Sequence, residues 1–244
     1  MKRLKESSFV SLIAVFAAFT IVSDSLVGPL LDISGVWYSW IFIAEPINGI
    51  ILGPYASFFS TFIGVMVGHS ITIRSSEEFL FTLGAPIGAM ISSLVFRGKW
   101  KIPVLCYLAL LGAFFITPVS WQLPLWGMWD VYLAFGCLLV SVVVMKKWSG
   151  VWNTKSTSVR LLYIVALCTF IGLEADVLFR IFILVPCQTY QIIYALDVSE
   201  LQLWWAAGAV ETSTKAALST LISVMVTPSI IKAVRKTALA LSED

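Results

Sequence analysis

Charge is the scarcest thing in this sequence. Asp, Glu, Lys and Arg make up 12% of its 244 residues, against roughly a quarter in an ordinary globular domain. Hydrophobic residues fill 59% of the chain, and the mean hydropathy is +0.93. A soluble domain of this length has no core large enough to hide so much apolar surface. The net charge of +2 is spread thinly, at the ends of apolar segments, so no nucleic-acid partner is expected. Histidine occurs once, as His69, and the four cysteines (Cys106, Cys137, Cys168 and Cys187) stand far apart within apolar runs. No pair has metal-ligand spacing. They read as small packing residues, and neither metal nor cofactor is expected.

Signatures of chemistry are missing too. There is no H-E-x-x-H, no G-x-S-x-G and no aspartate pair in a protease context, so the chain is not expected to be an enzyme. It has no G-x-x-x-x-G-K-[ST] loop, so any ATP hydrolysis would belong to a partner. A cleavable signal is not expected, because the first apolar run outlasts signal-peptide length without a small-residue cleavage site.

What the sequence does have is long apolar runs. A bilayer-crossing helix needs about 20 mostly apolar residues, and eight segments qualify: about 8–30, 35–53, 54–73, 78–96, 102–121, 126–145, 160–187 and 203–232. The second and third are separated by little more than Gly53-Pro54. Proline disfavours helix for its predecessor, so a sharp reversal is predicted there. The fold class is all-α: a polytopic transmembrane bundle of about eight spans, forming one domain over residues 1–244.

Basic residues predict the orientation. With the N-terminus inside, Lys2, Arg3, Lys5, Arg97, Lys99, Lys101, Lys146, Lys147, Lys155, Arg160, Lys232, Arg235 and Lys236 are all cytoplasmic. Those are thirteen of the sixteen; Arg74 falls outside, while Arg180 and Lys215 lie within spans. By the positive-inside rule both termini are cytoplasmic, in the plasma membrane.

The few charges inside the spans are the candidate site. Glu45, His69, Asp130, Glu174, Asp176, Arg180, Glu211 and Lys215 are expected to bind substrate, together with Trp129 beside Asp130. Under the predicted orientation all but Glu45 fall in the outer half. Intramembrane ionisable groups face a bundle interior or a watered cavity and mark pathways. Two pairs, Asp176/Arg180 and Glu211/Lys215, are four residues apart, so each could also be a self-neutralising ion pair. Asp24 falls in the outer part of the first span. Glu174 and Asp176 lie about 200° apart around a helix turning 100° per residue, which argues against their serving one pocket in the same way. Tryptophan is more frequent at the predicted outer face (Trp37, Trp40, Trp121, Trp126, Trp129, Trp204, Trp205) than at the inner (Trp100, Trp148, Trp152), and an aromatic belt explains most of them.

Small residues recur at four-residue spacing: Ala14/Ala18, Gly49/Gly53, Gly64/Gly68 and Gly84/Gly88. Such strips let helices approach closely, within the bundle or between subunits. The first span, LIAVFAAFTIV, followed by EPINGIILGPYASFFSTFIGVMVGH, resembles the substrate-binding S components of energy-coupling factor transporters, which take up vitamins and other micronutrients. The family's AxxxA strip falls on Ala14 and Ala18, and its G-x-x-L-G-P stretch on Gly49 to Pro54, followed by Gly64 and Gly68. LEADVLFRIF and WWAAGAVETSTKAALSTLI look like two terminal helices of some members. The likeness covers about the first hundred and last eighty residues.

The resemblance implies capture of a small water-soluble micronutrient from outside, without chemistry. It implies docking of a transmembrane coupling subunit on Ala14 and Ala18, with two cytoplasmic ATPases driving transport by toppling of the S component. Members typically have six helices, so 102–146 reads as a hairpin inserted into a six-helix S-component-like core. Two other functions fit the residues: a self-sufficient, proton-coupled secondary transporter using Glu45, Glu174 or Asp176, and an accessory subunit of a membrane complex.

Overall fold

A computed structural model describes residues 6–26, 39–72, 78–147 and 158–240. Lys2, Arg3, Lys5, Arg74 and Lys155 lie outside the described residues, as do Trp37, Trp148, Trp152 and the junction of the first two predicted spans.

Among the described residues the regular structure is helical. The helices are α1 (Glu6–Ser25), α2 (Ile41–Leu52), α3 (Pro54–Ile71), α4 (Glu78–Phe81), α5 (Gly84–Phe96), α6 (Lys101–Ile116), α7 (Trp129–Lys147), α8 (Ser158–Leu184), α9 (Thr189–Ile192) and α10 (Val198–Ala240). Two 3₁₀ turns, Pro118–Gln122 and Leu125–Met128, join α6 to α7. Each of the eight predicted segments carries one of the longer helices.

Among the described residues, four segments are long and apolar enough to cross a membrane: Phe79–Phe96, Leu125–Val143, Val159–Leu184 and Val198–Val234. Three shorter apolar helices accompany them, Phe9–Ser25, Ile41–Leu52 and Lys101–Ile116. Their outward faces are apolar as well. On α6 the buried positions are Pro103, Tyr107, Leu111 and Phe114, a single stripe, while Ile102, Leu105, Leu108 and Ile116 are exposed. A helix apolar on both faces suits a bilayer rather than water.

Local chemistry sets the helix ends. Gly53, at φ +106°, breaks the path between α2 and α3, and Pro54 opens α3 at a position where its missing N–H costs nothing. The two helices then pack on each other, the reversal expected from Gly53-Pro54. Gly98, at φ +72°, ends α5. Its N–H reaches Val95 O at 2.9 Å and the Lys99 N–H reaches Leu94 O at 2.8 Å, the paired bonds of a Schellman stop. At the start of α10, Asp197 Oδ1 accepts the Glu200 N–H at 2.8 Å, and Glu200 Oε2 accepts the Asp197 N–H at 2.9 Å, a reciprocal capping box.

α5 and α8 pack most extensively. α2 and α10 lie against them, and α1 and α3 pair with each other on the α2–α5 side. α2 is only 12 residues long, yet eleven of these are buried. The α6–α7 hairpin flanks α8. α10 runs for 43 residues, about 65 Å at 1.5 Å per residue, roughly twice the hydrocarbon thickness of a bilayer. That exceeds the predicted segment, because a helix does not end where its side chains turn polar.

Candidate functional site

The helix pairing places polar side chains before any cavity forms. α1 and α3 meet through Gly64 and Gly68, where an added Cβ would press on Thr20 and Asp24. α5 meets α2 and α8 through Gly84 and Gly88, where a Cβ would run into the carboxylates of Asp176 and Glu45. The glycine strips thus do more than bring backbones together: each leaves room for a polar group on the neighbouring helix.

Gly68 leaves space for Asp24 to reach His69 Nδ1, at 2.7 Å. Gly84 leaves space for Asp176, which accepts Arg180 Nε at 2.7 Å and Nη2 at 2.9 Å. That fork-shaped pair matches guanidinium to carboxylate geometry. Lys215 donates to Glu211 one turn away on α10.

These groups surround one cavity of about 300 Å³. Its lining comes from one end of the bundle: the last turns of α1, α3 and α8, the first turns of α2 and α5, and the first half of α10. Asp24, His69, Glu174, Asp176, Arg180, Glu211 and Lys215 all border it. From the α6–α7 hairpin only Gly127 does, so the expected insertion contributes a connection rather than a wall. Gly127 lies directly under the Trp205 ring, whose Nε1–H donates to Pro124 O at 3.0 Å.

Six of the nine residues expected at the site therefore lie together: His69, Glu174, Asp176, Arg180, Glu211 and Lys215. Three are elsewhere. Trp129 is 49% exposed and outside the lining, because neighbouring residues on a helix diverge by about 100° and Asp130 takes the inward direction. Asp130 is buried but occupied, accepting the Val131 N–H at 2.9 Å and the Thr212 hydroxyl at 2.5 Å. Glu45 is fully buried behind the wall. It lies in the field of Asp176, Arg180 and Glu174, yet neither of its oxygens meets a partner at hydrogen-bond geometry.

Glu174 and Asp176 border the same cavity after all. A separation of 200° one way is about 160° the other, and Leu173, Val177, Arg180, Ile181 and Leu184 fill that arc. The two carboxylates are the edges of a single broad face of α8. Sequence alone does not mark Asp24 as a site residue, since its pairing with His69 spans 45 residues of sequence. Also missed were the aromatic residues that do line the cavity, among them Phe81, Tyr194, Trp204 and Trp205.

Among the described residues no group of three or more His, Cys, Asp or Glu could hold a metal ion. The arrangement suits reversible binding: a small, mostly apolar chamber with paired charges on its wall. No family model, curated protein or solved structure matches the chain.

Proposed function

We propose that this chain captures a small water-soluble micronutrient, a vitamin or precursor, at the cavity between α1, α3, α8 and α10. In this reading it is the substrate-specific subunit of an importer of the energy-coupling factor type. The observation that carries the reading is the cavity itself. A chain with so few charges gathers seven ionisable side chains from four helices around one chamber, although a merely structural bundle is held by small and hydroxyl residues at lower cost.

Two further features support it. The lining belongs to the end of the bundle opposite Arg97, Lys99 and Lys101, so with eight spans and cytoplasmic termini the chamber faces outward. Ala14 and Ala18 lie exposed on α1, while Ala17 between them packs towards Gly64. This leaves a small-residue face for a transmembrane coupling subunit, which would bring cytoplasmic ATPases. The chain itself performs no chemistry.

A second reading draws on Glu45 and Glu174. Carboxylates buried without hydrogen-bond partners are the kind of group a proton-coupled carrier uses. One experiment separates the two. The full chain is reconstituted alone and with an ATPase–coupling module, and binding and uptake are measured for a vitamin panel. Binding by the chain alone, with uptake only when the module and ATP are present, supports capture for an ATP-driven importer. Uptake by the chain alone under a proton gradient would sink it in favour of the carrier.

A further inference from the structure

One carboxylate at the cavity is left without a partner, and it indicates the ligand. Asp24 meets His69 Nδ1 at 2.7 Å, Asp176 is paired with Arg180 and Glu211 with Lys215. Glu174 is different. The residue lines the cavity, yet it is 0% exposed, and its carboxylate has no hydrogen-bond partner on either oxygen. The charged groups that act on it are Asp130, Asp176 and Glu45, all acids. The Tyr107 hydroxyl, whose field it also shares, already donates to Ile171 O at 2.7 Å. A carboxylate out of water, among acids and without a donor, is strongly unfavourable until something supplies one.

Part of the lining is aromatic. Tyr194 packs against Trp204 with ring centroids 5.6 Å apart and against Phe81 at 6.3 Å, and all three border the cavity. Such a rim takes a flat ring and attracts a cation over its faces. Size follows from the volume. A cavity of about 150 Å³ holds benzene, so about 300 Å³ accommodates about a dozen non-hydrogen atoms.

We propose that the cavity binds an aryl-alkyl amine of about that size, with its protonated amine on Glu174 and its ring on the Phe81–Tyr194–Trp204 rim. The ammonium donates to the carboxylate and leaves the three existing pairs undisturbed. This assignment rests on the capture reading and sharpens it to organic cations.

The test uses the full chain in nanodiscs at neutral pH, with calorimetric titration of three indoles matched in size. Tryptamine ends in an ammonium, tryptophol in a hydroxyl and indole-3-acetate in a carboxylate. Tryptamine is expected to bind at least about tenfold tighter than tryptophol, and indole-3-acetate weakest. Glu174→Gln should shrink the tenfold margin to about threefold or less, and Glu174→Asp should retain most of it. The comparison in the unsubstituted chain needs no variant, so a misfolded Glu174→Gln cannot hide the answer. Equal affinities, a preference for tryptophol, or a margin unaffected by Glu174→Gln would each overturn the assignment; a tryptophol preference would mean Glu174 carries its own proton. Failure of all three probes to bind would also overturn it. The capture reading would then still stand or fall on module-dependent uptake.

Discussion

The α5–α8 crossing holds two walls of the cavity in place, and Gly172→Ala is the substitution that tests it. A Cβ at Gly172 would meet Ser92 Oγ head-on, and would sit 2.8 Å from Gly88 O and 2.9 Å from Ser92 Cβ. The serine can rotate away, but its hydroxyl now donates to Cys168 O at 2.9 Å, and losing that bond costs about 1 kcal/mol. The Gly88 carbonyl is backbone and cannot rotate, so the helices must separate, at about 1–3 kcal/mol. Alanine returns about 1 kcal/mol of helix propensity. The net is about 1–3 kcal/mol of destabilisation, or about 4–8 °C in midpoint at the middle of that range.

Thermal unfolding of the purified chain in detergent, followed by loss of helical circular dichroism, measures this. Gly112→Ala and Gly136→Ala are the controls. Both sit in helices with nothing within 4 Å of the new methyl group, so they should be neutral or stabilising by up to about 1 kcal/mol. Combining Ser92→Ala with Gly172→Ala should cost less than the two singles summed, because the first removes one of the colliding atoms. Should Gly172→Ala melt level with Gly112→Ala, the close crossing described above would be refuted.

Three further substitutions test separate parts of the structure. Thr212→Val keeps the side-chain shape but removes the donor to buried Asp130, and chemical unfolding should show a loss of about 1–3 kcal/mol; no loss would mean another donor serves Asp130. The Ser199 hydroxyl and the Glu200 N–H hold the exposed Asp197 carboxylate below its usual range. Its folded pKa is depressed, so its stabilisation is present above the unfolded value of about 4 and is lost as pH falls through the folded one. The midpoint gap between the unsubstituted chain and Asp197→Asn should therefore close on acidification, and a gap that widens would contradict the capping geometry. Ala14→Trp on the exposed face of α1 should abolish module-dependent uptake while leaving ligand binding within about twofold; lost binding would instead mark Ala14 as an internal packing residue.

Some of this was legible in the sequence because of what lipid cannot do. Lipid gives the backbone no hydrogen bonds, so each crossing must be an uninterrupted apolar helix of about 20 residues, and the segments stand out. The same rule makes α2 too long: its 12 residues are buried by protein, so its helix need not be as long as a bilayer-facing one. Lipid also does not solvate charge, so an ionisable residue in a span turns inward. That is why Glu174, Asp176, Arg180, Glu211, Lys215 and His69 could be named before their neighbours were known. Tryptophan carries no such constraint. It is stable at the membrane interface and equally stable on a cavity wall, so Trp129 was chosen by its adjacency to Asp130, while Trp204 and Trp205 line the chamber.

Partnership is the remaining step, and it lies in tertiary structure alone. Asp176 and Glu174 are two residues apart in equally apolar sequence, and either could have been the one with a counter-charge. Four-residue spacing puts Arg180 on the side of Asp176, and the space left by Gly84 lets the two lock together. Glu174, at the other edge of the same face, lies in the field of Asp130 on α7, which is already satisfied by Thr212. The packing that completes one carboxylate leaves the other without a partner, so the proposed ligand preference is a consequence of helix register. Moving the cation should move the preference: with Asp176→Asn, Arg180 loses its carboxylate, and the selectivity for tryptamine over indole-3-acetate should fall by about tenfold or more. If it stays unchanged, Arg180 does not face the ligand, and the charge count around the cavity is wrong.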